Sequence, residues 1–225
     1  MMDKVYNIEM EISGNTAMWT RPDTGDCPVS YPVPTYSAVK GIFESILWGP
    51  AVQIIPKRVE ICLPIQYHNY NTNYGGPLRK PRVIAEGGGF QLMATVLIDV
   101  CYRLYAEVRP ALRIIKGHIP DKAKQWDKKT TSPGHAYHEI FNRRLKRGQC
   151  FTIPFLGWKE FGSSYFGPFR HNTRVQSDIN IMIPSMLREV FSKGYASERS
   201  FTYEQDVKIN AGVMEFSQQG GPNVE

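Results

Sequence analysis

From residue 5 to residue 13 the side chains alternate, with Tyr6, Ile8, Met10 and Ile12 on one side and Asn7, Glu9 and Glu11 on the other. A period of two marks an amphipathic strand. A Gly-, Pro-, Thr- and Asp-rich stretch runs over 14–33, after which Thr35 stands where a helix cap belongs and Ala38, Val39, Ile42 and Ile46 form one apolar face. Gly49-Pro50 ends that helix at Trp48. Residues 52–65, interrupted by Pro56 and Pro64, read as one or two short strands at an edge or a bulge. Residues 66–90, rich in Asn, Tyr and Gly and closing on Gly87-Gly88-Gly89, predict a long functional loop. The clearest alternation spans 95–108, long enough for a bent central strand. Ser132 and Pro133 open a second helix, in which Tyr137, Ile140, Phe141, Arg144 and Leu145 keep helical spacing as far as Gly148. Residues 151–161 then read as a strand, residues 178–183 as another, and 185–192 as a short helix packed through Met186, Leu187, Val190 and Phe191.

Strand, helix, strand, strand, helix, strand is the order of a ferredoxin-like unit, the arrangement of RRM-type RNA binders. The fold class predicted is therefore α+β, with a ferredoxin-like domain over residues 1–161 and a small β-rich C-terminal appendage over 162–225. No internal repeat or low-complexity tract interrupts it.

Charge sharpens this picture. Lys and Arg outnumber Asp and Glu by 27 to 21, for a net charge of +6, which fits an anionic partner and equally a merely soluble basic surface. Cys27, Cys62, Cys101 and Cys150 lie far apart and form no metal-binding or redox pair, so they read as free thiols in a reducing compartment. The first ten residues carry Asp3, Lys4 and Glu9, and no stretch approaches the roughly 18 apolar residues of a membrane span, so a cytoplasmic protein without a membrane partner is expected.

The strongest chemical feature is residues 142–148, where Arg143, Arg144, Lys146 and Arg147 crowd the end of the second helix. Arg143 and Arg147 share a face suited to successive phosphates, although cations at a helix C-terminus also simply complement its dipole. Trp19, Tyr31, Tyr36 and Trp158 lie near Arg21, Lys40 and Lys159 in sequence, the mixture of stacking surface and cation that single-stranded RNA requires; each alone is as well explained as core. His135 and His138 flank Tyr137 and have the chemistry to move protons in a metal-independent ribonuclease, or to be ordinary polar residues at a helix start. No third ligand accompanies them, so no metal is expected. The triple glycine lacks the Lys-Ser/Thr ending of a nucleotide loop, and no cofactor is expected.

Two blocks go further. Residues 14–22 with 30–48 (GNTAMWTRP and SYPVPTYSAVKGIFESILW), and 140–151 with 154–161 (IFNRRLKRGQCF and PFLGWKEF), resemble the Cas-five family, d branch, of CRISPR type I-C systems. The resemblance covers roughly residues 5–195, the stretch 67–90 fitting poorly. It implies a RAMP fold that grips the 5′ handle of CRISPR RNA, caps the backbone of the surveillance complex Cascade and contacts its backbone and large subunits. Target double-stranded DNA beside that end is a further candidate contact. On this reading Arg21, Lys40, Arg143, Arg144, Arg147 and Lys159 meet the RNA backbone, with Tyr31 and Trp158 as stacking surfaces. Many members also cut the precursor RNA without metal, leaving a 2′,3′-cyclic phosphate. Those members commonly carry a Lys-His pair at the positions matching Ala136 and Tyr137 and a Tyr or His at Leu47, and all three groups are missing here. Handle binding therefore carries over better than cleavage. A rebuilt nuclease is the alternative, with Tyr137, His138 and His135 as its catalytic candidates. The basic stretch with Arg79, Lys80 and Arg82 is expected to order on RNA or against a neighbouring subunit.

Overall fold

A computed structural model describes residues 5–73, 81, 85, 91–111, 116–119, 121–128, 131–190 and 201–217. The expectations for Arg79, Lys80, Arg82 and the triple glycine lie outside the described residues. Strand β1 (Tyr6–Ala17) leads through helix α1 (Tyr36–Ile46) to β2 (Val52–Ile61), β3 (Gln66–Asn73) and the long β4 (Gln91–Pro110). A 3-10 turn (Asp121–Trp126) precedes helix α2 (Pro133–Lys146), and β5 (Tyr165–Gly167), β6 (Ile181–Glu189), β7 (Thr202–Asn210) and β8 (Val213–Glu215) follow. The strands form one antiparallel sheet in the order β5-β1-β4-β2-β8-β7-β6, with β3 paired to β4 off that path. Strands from beyond residue 161 thus join both sides of the earlier ones, β5 on β1 and β8 on β2.

Both helices begin where their caps predict. The Thr35 hydroxyl accepts from the Ala38 N–H and the Ser132 hydroxyl from the His135 N–H, with Pro133 in the first turn where its missing N–H costs nothing. Alternation along the central strands divides the sheet into two unlike faces. Ile8 stands opposite Ala106 and Met10 opposite Leu104, and these with Ile12 and Val108 are buried in one core with Phe43 of α1 and Phe141 of α2, whose rings lie 5.7 Å apart.

The other face is ionic. Glu11, fully buried, takes hydrogen bonds from Arg170 Nε at 2.5 Å, the Arg170 N–H at 3.1 Å and the Thr173 hydroxyl at 2.6 Å, with Arg103 Nε 3.6 Å away. Phe169 covers this network, lying under the Arg103 guanidinium and against Tyr105. Burial pushes the Glu11 carboxyl up, but hydrogen bonds from Thr173 and Arg170 and the Arg170 charge outweigh it and hold the group below the usual carboxylate range.

Three expectations need correction. Residues 66–73 are a strand, not loop: their polar side chains conceal a residue-by-residue pairing with the first half of β4, from Gln66↔Ile98 to Asn73↔Gln91. Residues 151–161 are not a strand; Pro154 and Gly157 fold them into a tight turn in which Leu156 N–H donates to the Phe161 carbonyl at 2.7 Å and Phe161 N–H to the Trp158 carbonyl at 3.0 Å. The described part of 185–192 is strand β6, paired with β7 across a bulge between Leu187 and Glu189. The irregularity there mimics helical spacing, and pairing with a distant strand overrides it.

Candidate functional site

Helix α1 stops at Leu47, whose backbone is extended (φ −152°, ψ 119°), and leaves its last carbonyls without helical partners. Side chains of α2 take two of them: Arg144 donates to the Ile46 carbonyl at 2.8 Å and the Tyr137 hydroxyl to the Leu47 carbonyl at 2.5 Å. A third, Ser45, accepts from the N–H groups of Phe151 at 2.9 Å and Thr152 at 3.1 Å. The fold therefore brings Leu47 and Tyr137, two of the positions the family resemblance singled out, into contact. Tyr137 is 0% exposed and stacked on Phe141. Burial first, and the Glu44 charge second, raise its phenol far above the ordinary tyrosine range and keep it protonated. The sequence reading made Tyr137 and His138 the first cleavage candidates; here the Tyr137 hydroxyl donates to the Leu47 carbonyl and its ring is buried. Replacing Tyr137 with Phe should cost about 1–2 kcal/mol, the price of leaving a buried carbonyl unsatisfied, measurable as a lower urea midpoint.

His135 and His138, one turn apart, both pack on the Tyr6 ring, with centroids at 5.8 and 5.6 Å. His138 is half-buried and engaged at both nitrogens, Nδ1 with Glu139 Oε1 at 3.1 Å and Nε2 with Asn142 Nδ2 at 3.0 Å. No cluster of three His, Cys, Asp or Glu that could hold a metal stands among the described residues.

The expected RNA-contacting residues divide by exposure. Arg143 and Arg147 are exposed at the end of α2, which closes at Gly148 with φ +62°. Arg144 is half-buried and spent on the Ile46 carbonyl, and Lys40 stands half-exposed one turn before Glu44. Arg21 pairs with Asp23 at 2.7 Å and reaches over the Tyr31 ring at 5.8 Å. Tyr31, expected as a stacking surface, is 3% exposed and belongs to the core; its hydroxyl donates to the Ser185 carbonyl and accepts from the Leu187 N–H. Trp158 keeps one partly open edge, its ring stacked on Phe161 and its N–H donating to the Thr20 hydroxyl at 3.0 Å, so Lys159, exposed, is held beside the Thr20–Arg21 segment.

What seats that turn is glycine. Gly157 has φ +92°, and a Cβ there would lie 1.8 Å from the Met18 carbonyl oxygen; a Cβ on Gly14 would meet Leu156 at 2.5 Å. The Met18 N–H donates to the Leu156 carbonyl at 2.9 Å, closing the contact. The sequence reading did not single these glycines out, and the only available signal was Gly157 inside an otherwise apolar run.

The family described as CRISPR-associated protein (Cas_Cas5), d branch, matches residues 7–174. The protein named CRISPR pre-crRNA endoribonuclease Cas5d of Thermus thermophilus is 30% identical over 162 residues, 72% of this chain and 63% of the relative, so the chain spans less than two thirds of that relative's length. Its namesake in Mannheimia succiniciproducens is 30% identical over 174 residues, 70% of this chain and 71% of the relative. Among solved structures, the crystal structure of a CRISPR-associated protein superposes with TM-score 0.66 and 19% identity, covering 100% of this chain and 98% of that one; at such identity the likeness speaks for the fold alone.

Proposed function

The chain belongs to the Cas5d family of CRISPR-associated proteins, and from that membership we propose that it binds CRISPR RNA as a subunit of a type I, I-C-like Cascade and caps the 5′ handle without cutting it. The observation that carries this reading is the contact of Tyr137 with Leu47, a buried hydroxyl on a backbone carbonyl where family members that cut place titratable groups. Neither Tyr137 nor Leu47 offers a free proton donor or acceptor to a ribose or phosphate there. The strand order β5-β1-β4-β2, with α1 between β1 and β2 and α2 between β4 and β5, supports a ferredoxin-like RAMP core carrying a β-rich appendage. Arg143, Arg147 and Lys159 supply exposed cations for phosphates, and the open edge of Trp158 a place for a base to stack. The backbone and large subunits are its protein partners, target double-stranded DNA a candidate neighbour, and the cytoplasm its compartment.

Cleavage is the second reading, favoured by the name of both relatives, pre-crRNA endoribonuclease. Its groups would be His138 and His135, on one turn against Tyr6: one takes the proton of the 2′-hydroxyl that attacks the adjacent phosphate, the other protonates the departing 5′-oxygen.

Labelled repeat RNA incubated with the protein in EDTA, run on a denaturing gel beside a binding titration, separates the two. Intact RNA bound with a steep salt dependence is the expected result; a single cut lost in His138→Ala or His135→Ala would replace binding by catalysis. Arg143→Ala and Arg147→Ala should each weaken binding across sequences and lower the salt slope by about one.

A further inference from the structure

Trp48 is 59% exposed, Phe151 81%, Ile153 64% and Phe155 42%. Residues 151, 153 and 155 recur at a period of two, yet among the described residues they belong to no named strand, Phe155 making only an isolated bridge to Gly162. The paired hydrogen bonds of Phe151 and Thr152 to the Ser45 carbonyl hold their segment against the end of α1. Between the two lies a groove of about 390 Å³, floored by Ala38, Gly41 and Ile42 and walled by Trp48, Phe151 and Phe155. Scattered exposed apolar side chains need no explanation, but a contiguous set around a groove marks an interaction site.

Glu44 supplies the charge. It lines the same groove, is half-buried, and makes no hydrogen bond or ion pair among the described residues. Burial pushes its carboxyl up, opposed only by the charge of Lys40. Among the described residues no Lys or Arg lines the groove, and Lys40 is the one charge that offsets Glu44, so an RNA backbone entering it would meet a carboxylate, whereas a cation would pair with it. We infer that this groove receives a segment of a partner protein carrying an aromatic or aliphatic anchor beside an arginine or lysine, the anchor between Trp48 and Phe151 and the cation on Glu44. The inference rests on the reading of the chain as a subunit of a protein–RNA complex, and gives it a protein-facing surface beside its phosphate-facing cations.

The test co-expresses the full chain with the backbone and large Cascade subunits encoded beside it. Assembly is followed by size-exclusion chromatography with light scattering, and RNA affinity is measured on the isolated chain. Phe151→Ser and Trp48→Ser should each weaken assembly by about thirtyfold or more, as for a central interface anchor, with RNA affinity changed by less than about twofold, and Glu44→Lys should weaken assembly without weakening RNA binding. Ile153→Ser, with thermal melts on every variant, separates a lost contact from a lost fold. Assembly unchanged in these variants, RNA affinity lost while assembly persists, or an isolated dimer abolished by Phe151→Ser would each overturn the inference, the last two in favour of RNA or a second copy. If repeat RNA fails to bind at all while the variants still disrupt assembly, the RNA reading falls and this surface stands.

Discussion

Replacing Gly157 with alanine is expected to lower the melting temperature by roughly 10 °C and to weaken RNA binding together with it. At φ +92° an L side chain is strained whatever the space around it, worth about 1–3 kcal/mol. The Cβ would also fall 1.8 Å from the Met18 carbonyl oxygen, a backbone atom that cannot rotate aside. Relief requires lifting the 156–161 turn from the end of β1, which breaks the Met18–Leu156 hydrogen bond and frees Trp158 from Thr20. The turn also carries Lys159, so stability and affinity should fall in step. Thermal denaturation followed by circular dichroism checks this: a variant melting within about 2 °C of the parent, under one kcal/mol for a chain of this size, would show that the turn is not pinned as described.

The second large effect belongs to Glu11. Glu11→Ala strands Arg170 and Arg103 on the ionic face without their carboxylate; because the Arg170 side chain is 36% exposed, water takes up part of the loss and the cost falls below the roughly 3–5 kcal/mol of a fully buried pair. Glu11→Gln keeps the shape, and its pH dependence is the sharper test. The folded-state pKa of Glu11 is depressed, so the stability it contributes is fully present above the unfolded-state value of about 4.3 and is lost as pH falls through the folded value. Urea midpoints measured from pH 7 down to about pH 3 should therefore fall more steeply for the parent than for Glu11→Gln. Parallel curves would show that this carboxylate does not couple protonation to folding.

Much of the core was legible because its signals are local. The alternation of Ile8, Met10 and Ile12, the caps Thr35 and Ser132, and the spacing of Tyr137, Phe141 and Leu145 each lie within one element and reappear in the structure. The misreadings fall where distant contacts decide. Polar β3 exists because β4 pairs with it, β6 because β7 does, and residues 151–161 turn because Gly157 must pass the Met18 carbonyl. In the site, exposure of Arg143 and Arg147 at a helix end follows from the sequence. Burial of Tyr31 and Tyr137 does not, because an aromatic ring suits a core or a binding surface equally well. The Glu11–Arg170–Thr173 network joins residues 159 and 162 positions apart, and nothing near Glu11 in the chain announces it.

The Tyr31 hydroxyl, donating to the Ser185 carbonyl and accepting from the Leu187 N–H, occupies two backbone groups on β6, the strand at one end of the sheet. A neighbouring strand would take the same two groups. With the hydroxyl there, this edge of the sheet is a poorer template for another chain to extend. The buried tyrosine thereby works against edge-to-edge pairing at this end of the sheet.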